Sequence, residues 1–79
     1  MKLYDLCIIK ENVSIYRKGA FAIILEMDTG DDYHLEIWDF DIFDGADLNF
    51  INKKYLRKVT QEEEKEYIQK FEKYTNKNE

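Results

Sequence analysis

The apolar residues of this chain change their spacing once, at Thr60, and this change limits the fold more than any other feature. Before Thr60, short apolar runs alternate with polar and glycine-containing turns, which is typical of β-strands. After Thr60, the large apolar residues share one face of a helix, namely Tyr67, Ile68, Phe71 and Tyr74. Because 79 residues suffice for only one core, the sequence predicts a single mostly-β domain with a C-terminal amphipathic helix.

The predicted strands are short and closely spaced along the chain: residues 3–10, 20–27, 33–40, 48–51 and 55–59. Gly30 and the pair Asp44-Gly45 indicate turns on either side of the third strand. The helix begins with Thr60 and Glu63 in a capping box, in which each side chain bonds the backbone N–H of the other residue. We therefore expect a barrel over residues 1–59, a helix packed on it over residues 60–75 and a frayed tail at residues 76–79.

The predicted third strand changes the phase of its alternation. Leu35 and Ile37 share one face, but Trp38 and Phe40 are apolar at positions where that alternation requires polar residues. A slip of one residue moves every following side chain to the other face of a sheet. We therefore expect a bulge or sharp bend near Ile37 and Trp38, of the kind with which small barrels close.

Three segments of the chain resemble the motifs of a family of short bacterial SH3-like proteins of unknown function. Residues 18–26 resemble its K-G-D-x-G-T-V-x-E strand, residues 33–37 its Y-x-V-E-F strand and residues 56–59 its L-R-P-V ending. Ala22 and Lys58 stand where the family has glycine and proline. The resemblance implies a small five-stranded SH3-like antiparallel barrel. Related barrels that carry the KOW motif bind nucleic acid or ribosomal partners, which implies nucleic-acid binding as an alternative role.

The charges of the chain are unevenly distributed along the sequence. The net charge of −5 is the balance of +2 over residues 1–18, −9 over residues 19–52 and +2 over residues 53–79. The central segment contains no lysine or arginine. A charge asymmetry of this kind bears on association with other molecules rather than on the fold.

The segment from Trp38 to Asp44 combines large aromatic residues with carboxylates, and two interpretations of it remain open. In the first, its aromatic residues only pack the barrel. In the second, some of them are exposed anchors ringed by charge, and the carboxylates imitate the phosphates of a nucleic acid. The second interpretation predicts the following partner-binding residues: Asp28, Asp31, Asp32, Trp38, Asp39, Phe40, Asp41, Phe43, Asp44 and Asp47.

Residues that carry out catalysis are scarce. The chain has one serine, one cysteine and one histidine, Ser14, Cys7 and His34, and nucleophilic catalysis requires several such groups together. Cys7 lies in an apolar run and is predicted to be buried, and His34 is predicted to form a surface pair with Glu36. We expect no enzymatic activity, no cofactor and no metal site. Because neither an export signal nor an apolar run long enough to span a membrane is found, we expect a cytoplasmic protein.

These patterns lead to three hypotheses of function. The first is a small inhibitor or immunity-type protein that blocks a basic, nucleic-acid-processing protein, such as a nuclease toxin or a nucleic-acid-guided defence complex of a bacterium attacked by phage. The second is an accessory scaffold that forms homo-oligomers through the apolar face of the helix. The third is a KOW-like barrel that binds nucleic acid through six basic residues: Arg17, Lys18, Lys53, Lys54, Arg57 and Lys58.

Overall fold

The structure, a computed structural model, describes residues 1–27, 30–41 and 43–77, with only the backbone for residues 43–49 and 77. Its elements are β1 (Leu6–Ile9), β2 (Phe21–Met27), β3 (Asp32–Asp39), β4 (Phe43–Asn52), β5 (Leu56–Lys58) and α1 (Gln61–Lys77). A turn of 3₁₀ helix at Lys53–Tyr55 joins β4 to β5. The prediction of a mostly-β chain with one C-terminal helix is confirmed, and the helix ends two residues later than predicted.

The strands form one antiparallel sheet in the order β4-β3-β2-β1-β5. The last strand returns to pair with the first, so β4 and β5 lie at the two ends of the order. No ladder joins β4 to β5 among the residues that the structure describes, and the sheet is therefore open. β4 is consequently an edge strand. The backbone groups on the outer side of an edge strand have no partner in the sheet and can bind another molecule.

One face of the sheet, the inner face, carries the main core. Alternation along the strands directs Cys7 of β1, Ile24 of β2 and Leu35 of β3 to this face, and none of the three is exposed to solvent. Tyr16 joins them from the loop between β1 and β2 and is also buried. The burial predicted for Cys7 is thus confirmed.

The opposite face, the outer face, is covered in part by α1. Ile8 and Phe21 are buried there under the side chain of Tyr67 and its neighbours on the helix. The helix begins as predicted, because the N–H of Glu63 donates to the Thr60 hydroxyl at 3.2 Å and the N–H of Thr60 donates to the Glu63 carboxylate at 2.9 Å. The apolar stripe of α1 therefore packs on the sheet, as amphipathic helices generally do.

The irregularity predicted near Ile37 and Trp38 is confirmed, but the predicted change of phase in the third strand is wrong. Leu35 and Ile37 point to the inner face, whereas Glu36 and Trp38 point to the outer face, so the alternation of β3 is unbroken. A register shift does occur between Glu36 and Trp38, but it lies in the ladder with β4, and the ladder with β2 is regular at Ile37 and Trp38. Trp38 is apolar because α1 covers its part of the outer face, which the local pattern does not reveal.

The predicted turn at Asp44 and Gly45 is also wrong. Both residues belong to β4, where Asp44 pairs with Trp38 of β3, and the chain turns earlier, at Phe40 and Asp41. The fourth strand consequently has 10 residues and is far longer than predicted. Aspartate and glycine are tolerated in β4 because it is an edge strand, where polar residues protect the unpaired side.

Candidate functional site

Trp38 is buried, with 8% of its surface exposed. Its ring lies 5.2 Å from the ring of Phe71 and 5.6 Å from that of Tyr74, both in near-perpendicular contacts, and its Nε1–H donates to Glu36 at 2.6 Å. Phe40 is half-buried beside it, with 5.5 Å between the ring centroids. For these two residues the structure agrees with the interpretation in which the aromatic side chains pack the domain.

Asp39 is held by an arginine from outside the acidic segment. The Nε and Nη2 atoms of Arg17 donate to the two carboxylate oxygens of Asp39, each at 2.7 Å. Nη2 also lies 3.4 Å from the exposed carboxylate of Asp41. Bidentate pairs of this kind are the strongest ion pairs that proteins form. Arg17 therefore offsets part of the negative charge of these two aspartates.

The pKa of Asp39 is lowered by this arrangement. The hydrogen bonds from Arg17 contribute most, burial opposes them, and the backbone N–H of Asp41 assists them. The carboxylate is thus ionised at neutral pH, yet little of it is accessible, with 9% of the side chain exposed. Asp39 is a structural carboxylate, and a partner reaches Asp41 more readily than Asp39.

The acids at the other end of β3 are more accessible. Asp31 and Asp32 are both exposed, and Lys53 contacts Asp31 at 3.2 Å between Nζ and Oδ1. Asp32 begins β3 opposite Asn52 of β4. Asp28, which was predicted to belong to the same surface, lies outside the described residues. The accessible acids therefore flank the connection between β2 and β3.

The remaining predicted residues follow the outermost strand. Phe43 pairs with Asp39 and Asp44 pairs with Trp38, while Asp47 lies next to Leu48, within the part of β4 where the register shifts. The side chains of Phe43, Asp44 and Asp47 are outside the described part of the structure. Their backbone positions nevertheless bring the predicted acids of β4 to the open end of the sheet.

An exposed aromatic residue on this edge was missed by the sequence analysis. Phe50 of β4 has 56% of its surface exposed, and its ring stacks on that of His34 at 4.8 Å. His34 also lies 3.6 Å from the carboxylate of Glu26, measured from Nδ1. Glu26, His34 and Phe50 are neighbours across β2, β3 and β4, and we call them the Phe50 row. The sequence did contain a signal for this exposure, because Phe50 and Ile51 are adjacent in a strand and their side chains must point to opposite faces of the sheet.

His34 does not pair with Glu36 as predicted. The imidazole contacts Glu26 and Phe50, and the Glu36 carboxylate accepts from Trp38 instead. The Cys7 thiol donates to the carbonyl of Ala22 at 3.3 Å, and burial, followed by the charge of Asp5, raises its pKa to about 12. A thiol in this state is a poor nucleophile.

Three of the six basic residues that were considered for nucleic-acid binding are paired with acids. Arg17 is paired with Asp39, Lys53 is paired with Asp31, and Arg57 donates to Glu63 at 2.7 and 2.6 Å. An ion pair of this type weakens the positive potential that phosphates would meet. The flanking segments of the sequence thus supply counter-ions to the acids.

The helix leaves part of its predicted apolar face uncovered. Tyr67 and Tyr74 are half-buried against the sheet, whereas Ile68 and Phe71 are 46% and 38% exposed. Phe71 still contacts Trp38, so Ile68 is the apolar residue of α1 that contributes least to the domain.

Within the ranges that the structure covers, no helix has both the length and the hydrophobicity of a membrane span. Comparison of the chain with protein-family models, with curated proteins and with solved structures gives no match.

Proposed function

We propose that this protein binds a basic surface of another protein through the open edge formed by β3 and β4, as a small inhibitor or immunity-type protein. The observation that carries the proposal is Phe50, which lies more than half exposed on the outermost strand. Exposed aromatic residues are enriched among the few that dominate the energy of protein interfaces. Phe50 replaces Trp38 as the anchor because Trp38 is buried under α1.

The charges around Phe50 support a basic partner. Glu26 lies in the same row with 68% of its side chain exposed, and Asp31 and Asp32 are exposed at the end of the strand next to it. Carboxylates around an apolar centre steer a basic protein toward the surface and speed its association at low salt. Such carboxylates also resemble the phosphates that a nucleic-acid-processing protein binds, so that this class of partner is proposed.

The proposal is tested by capturing the partner with immobilised protein and identifying it by mass spectrometry, followed by binding measurements with the purified partner. We expect affinity to fall steeply from low to physiological salt, and a nucleic acid that occupies the partner's basic cleft to compete. Salt-independent binding would exclude the electrostatic mechanism.

The variants for this test follow from the structure. Phe50→Ala and Asp32→Lys are expected to weaken binding at least about tenfold. Glu72→Lys carries the same charge change on an exposed helix position and should leave the affinity within about twofold at physiological salt. Reversal of Asp39 is unsuitable because it removes the ion pair with Arg17 and places a positive charge at a buried position beside that arginine. Equal losses for Asp32→Lys and Glu72→Lys would show that only net charge matters.

The finer architecture, an SH3-like barrel, is also a proposal. The strand order, the 3₁₀ turn before β5 and the return of β5 to β1 support it. So does the inner core, to which all five strands contribute. A solution or crystal structure tests it, because closure requires contacts between β4 and the end of the sheet that β5 occupies.

A second candidate function, homo-oligomerisation through α1, is favoured by the exposure of Ile68. Ile68→Asp discriminates better than a change at Phe71, because Phe71 also supports Trp38. If the protein is an oligomer that Ile68→Asp converts to a monomer in light scattering, this function is supported. A wild-type protein that is monomeric at all tested concentrations would exclude it.

A further inference from the structure

A groove between α1 and the turn that follows β3 gathers positive charge in a protein whose net charge is −5. Its larger part, a cavity of about 280 Å³, is lined by Phe40, Asp41, Lys70, Lys73 and Tyr74. An adjoining cavity of about 150 Å³ shares Phe40, Asp41 and Lys70 and extends to Lys18 in the loop before β2. Three separate segments of the chain therefore line two adjoining cavities, which together we call the groove.

The balance of charge in the groove is positive. The two aspartates that line it, Asp39 and Asp41, face Arg17, which offsets part of their charge. Lys70 shares its charge with Glu66, which lies 3.0 Å away on α1. Lys18 and Lys73 are the other two cations of the groove, and within the described residues neither of them takes part in an ion pair. Arg17 is already engaged by both carboxylates, so the cations that remain for a ligand are lysines.

The composition of the groove indicates the chemical class of the ligand. Lysine ammonium groups bind phosphate as point charges that need no fixed orientation. The rings of Phe40 and Tyr74 line the same cavity and provide aromatic surface of the kind on which bases and other flat rings stack. The larger cavity is close to the lower limit for small-ligand pockets, which start at about 300 Å³. This size admits one ring system and one or two anionic groups.

We propose that the groove formed by Lys18, Phe40, Lys70, Lys73 and Tyr74 binds a small organic phosphate that carries an aromatic ring, such as a mononucleotide. The phosphate lies among the lysines, and the ring lies against Phe40 and Tyr74. The site is separate from the Phe50 row, so that it does not depend on the function proposed for the β4 edge.

The experiment is a titration of the isotope-labelled full chain by NMR with three probes: adenosine monophosphate, inorganic phosphate and adenosine. We expect adenosine monophosphate to shift the amides of Phe40, Lys70 and Lys73, and to bind at least about tenfold more tightly than either half alone. A ring and an anion that are recognised together produce this difference because the second group binds without a further loss of translational freedom.

Two variants test the lysines from different elements. Lys73→Glu on α1 and Lys18→Glu in the loop should each weaken adenosine monophosphate binding at least about fivefold. Lys65→Glu, which makes the same charge change at an exposed helix position that lines neither cavity, should leave it within about twofold. The fluorescence of Trp38 before titration shows whether each variant is folded.

Two results would overturn the proposal. One is binding of adenosine monophosphate no tighter than that of inorganic phosphate, which would leave only general attraction between charges. The other is a loss of affinity in Lys65→Glu equal to that in Lys73→Glu, which would show that the groove is not the site.

Discussion

The guanidinium of Arg17 holds both carboxylate oxygens of Asp39 at 2.7 Å, and so ties the loop before β2 to the end of β3. The two residues are 22 positions apart in the sequence. The arginine comes from a segment of positive net charge and the aspartate from the segment that has no basic residue. A segment that is strongly acidic in the sequence is therefore less acidic on the folded surface.

The first prediction concerns the contribution of this pair to stability. Asp39→Asn removes the charge but keeps the shape, and we expect the free energy of unfolding to fall by about 0.5–1.5 kcal/mol, because the hydrogen bonds to Arg17 lose their ionic partner while solvent screens the half-exposed arginine. Urea unfolding followed by the fluorescence of Trp38, the only tryptophan, measures this change.

Asp41→Asn is the matched control. The carboxylate of Asp41 is 86% exposed and lies farther from Arg17, at 3.4 Å, so that we expect a change below about 0.5 kcal/mol. If both variants lose the same stability, the pair of Arg17 and Asp39 has no special role.

The second prediction concerns pH and the start of α1. Two hydrogen bonds from Arg57, assisted by the backbone of Thr60, lower the pKa of Glu63 to about 2, whereas an unfolded glutamate has a pKa of about 4.3. A folded pKa below the unfolded one means that the carboxylate stabilises the fold above the unfolded value. This stabilisation is lost as the pH falls from about 4.3 towards about 2.

Glu63→Gln tests this linkage. Glutamine can still accept the N–H of Thr60 in a capping box, but it has no charge for Arg57 and does not titrate. We expect a loss of less than about 1 kcal/mol at pH 7, because the pair is near the surface, and a smaller dependence of stability on pH between about 4 and 2 than in the wild-type protein. Identical pH profiles in urea unfolding would contradict the assignment.

The sequence predicted the features that depend on neighbouring residues. The capping box at Thr60 and the burial of Cys7 follow from short patterns, and both are confirmed. The direction of Trp38 could not be predicted, because it depends on a helix that begins more than 20 residues later. The pairing of Asp39 with Arg17 is likewise a property of the sheet. Phe50 was missed for a related reason, since an edge position is defined only by the order of the strands.

The third prediction concerns the reactivity of Cys7. With a pKa of about 12 in place of the usual value near 8.5, the fraction of thiolate at pH 8 falls by roughly a factor of 10³. The side chain is also fully buried. We expect a thiol reagent such as DTNB to react with the native protein at least about 10³-fold more slowly than with the protein in 8 M urea. Rapid labelling of the native protein would show that β1 opens readily or that the thiol is accessible.

The fourth prediction separates the edge surface from the core with two neighbouring residues of β4. Phe50 is exposed on the outer face and Ile51 is buried on the inner face, with 56% and 5% of their surfaces exposed. Phe50→Ala should lower the free energy of unfolding by less than about 1 kcal/mol, because it loses mainly the stacking on His34. Ile51→Ala should lower it by about 2–5 kcal/mol, because it leaves a cavity in the core.

Urea unfolding of both variants measures this contrast, and the captured partner supplies the second measurement. Phe50→Ala is expected to lose binding while the fold is kept, since an aromatic residue that contributes little to its own domain remains available for an interface. A variant of Phe50 that is as unstable as the Ile51 variant would place the ring in the core and remove the anchor from the proposed surface. A stable Phe50→Ala protein that binds its partner with unchanged affinity would move the interface away from the β4 edge.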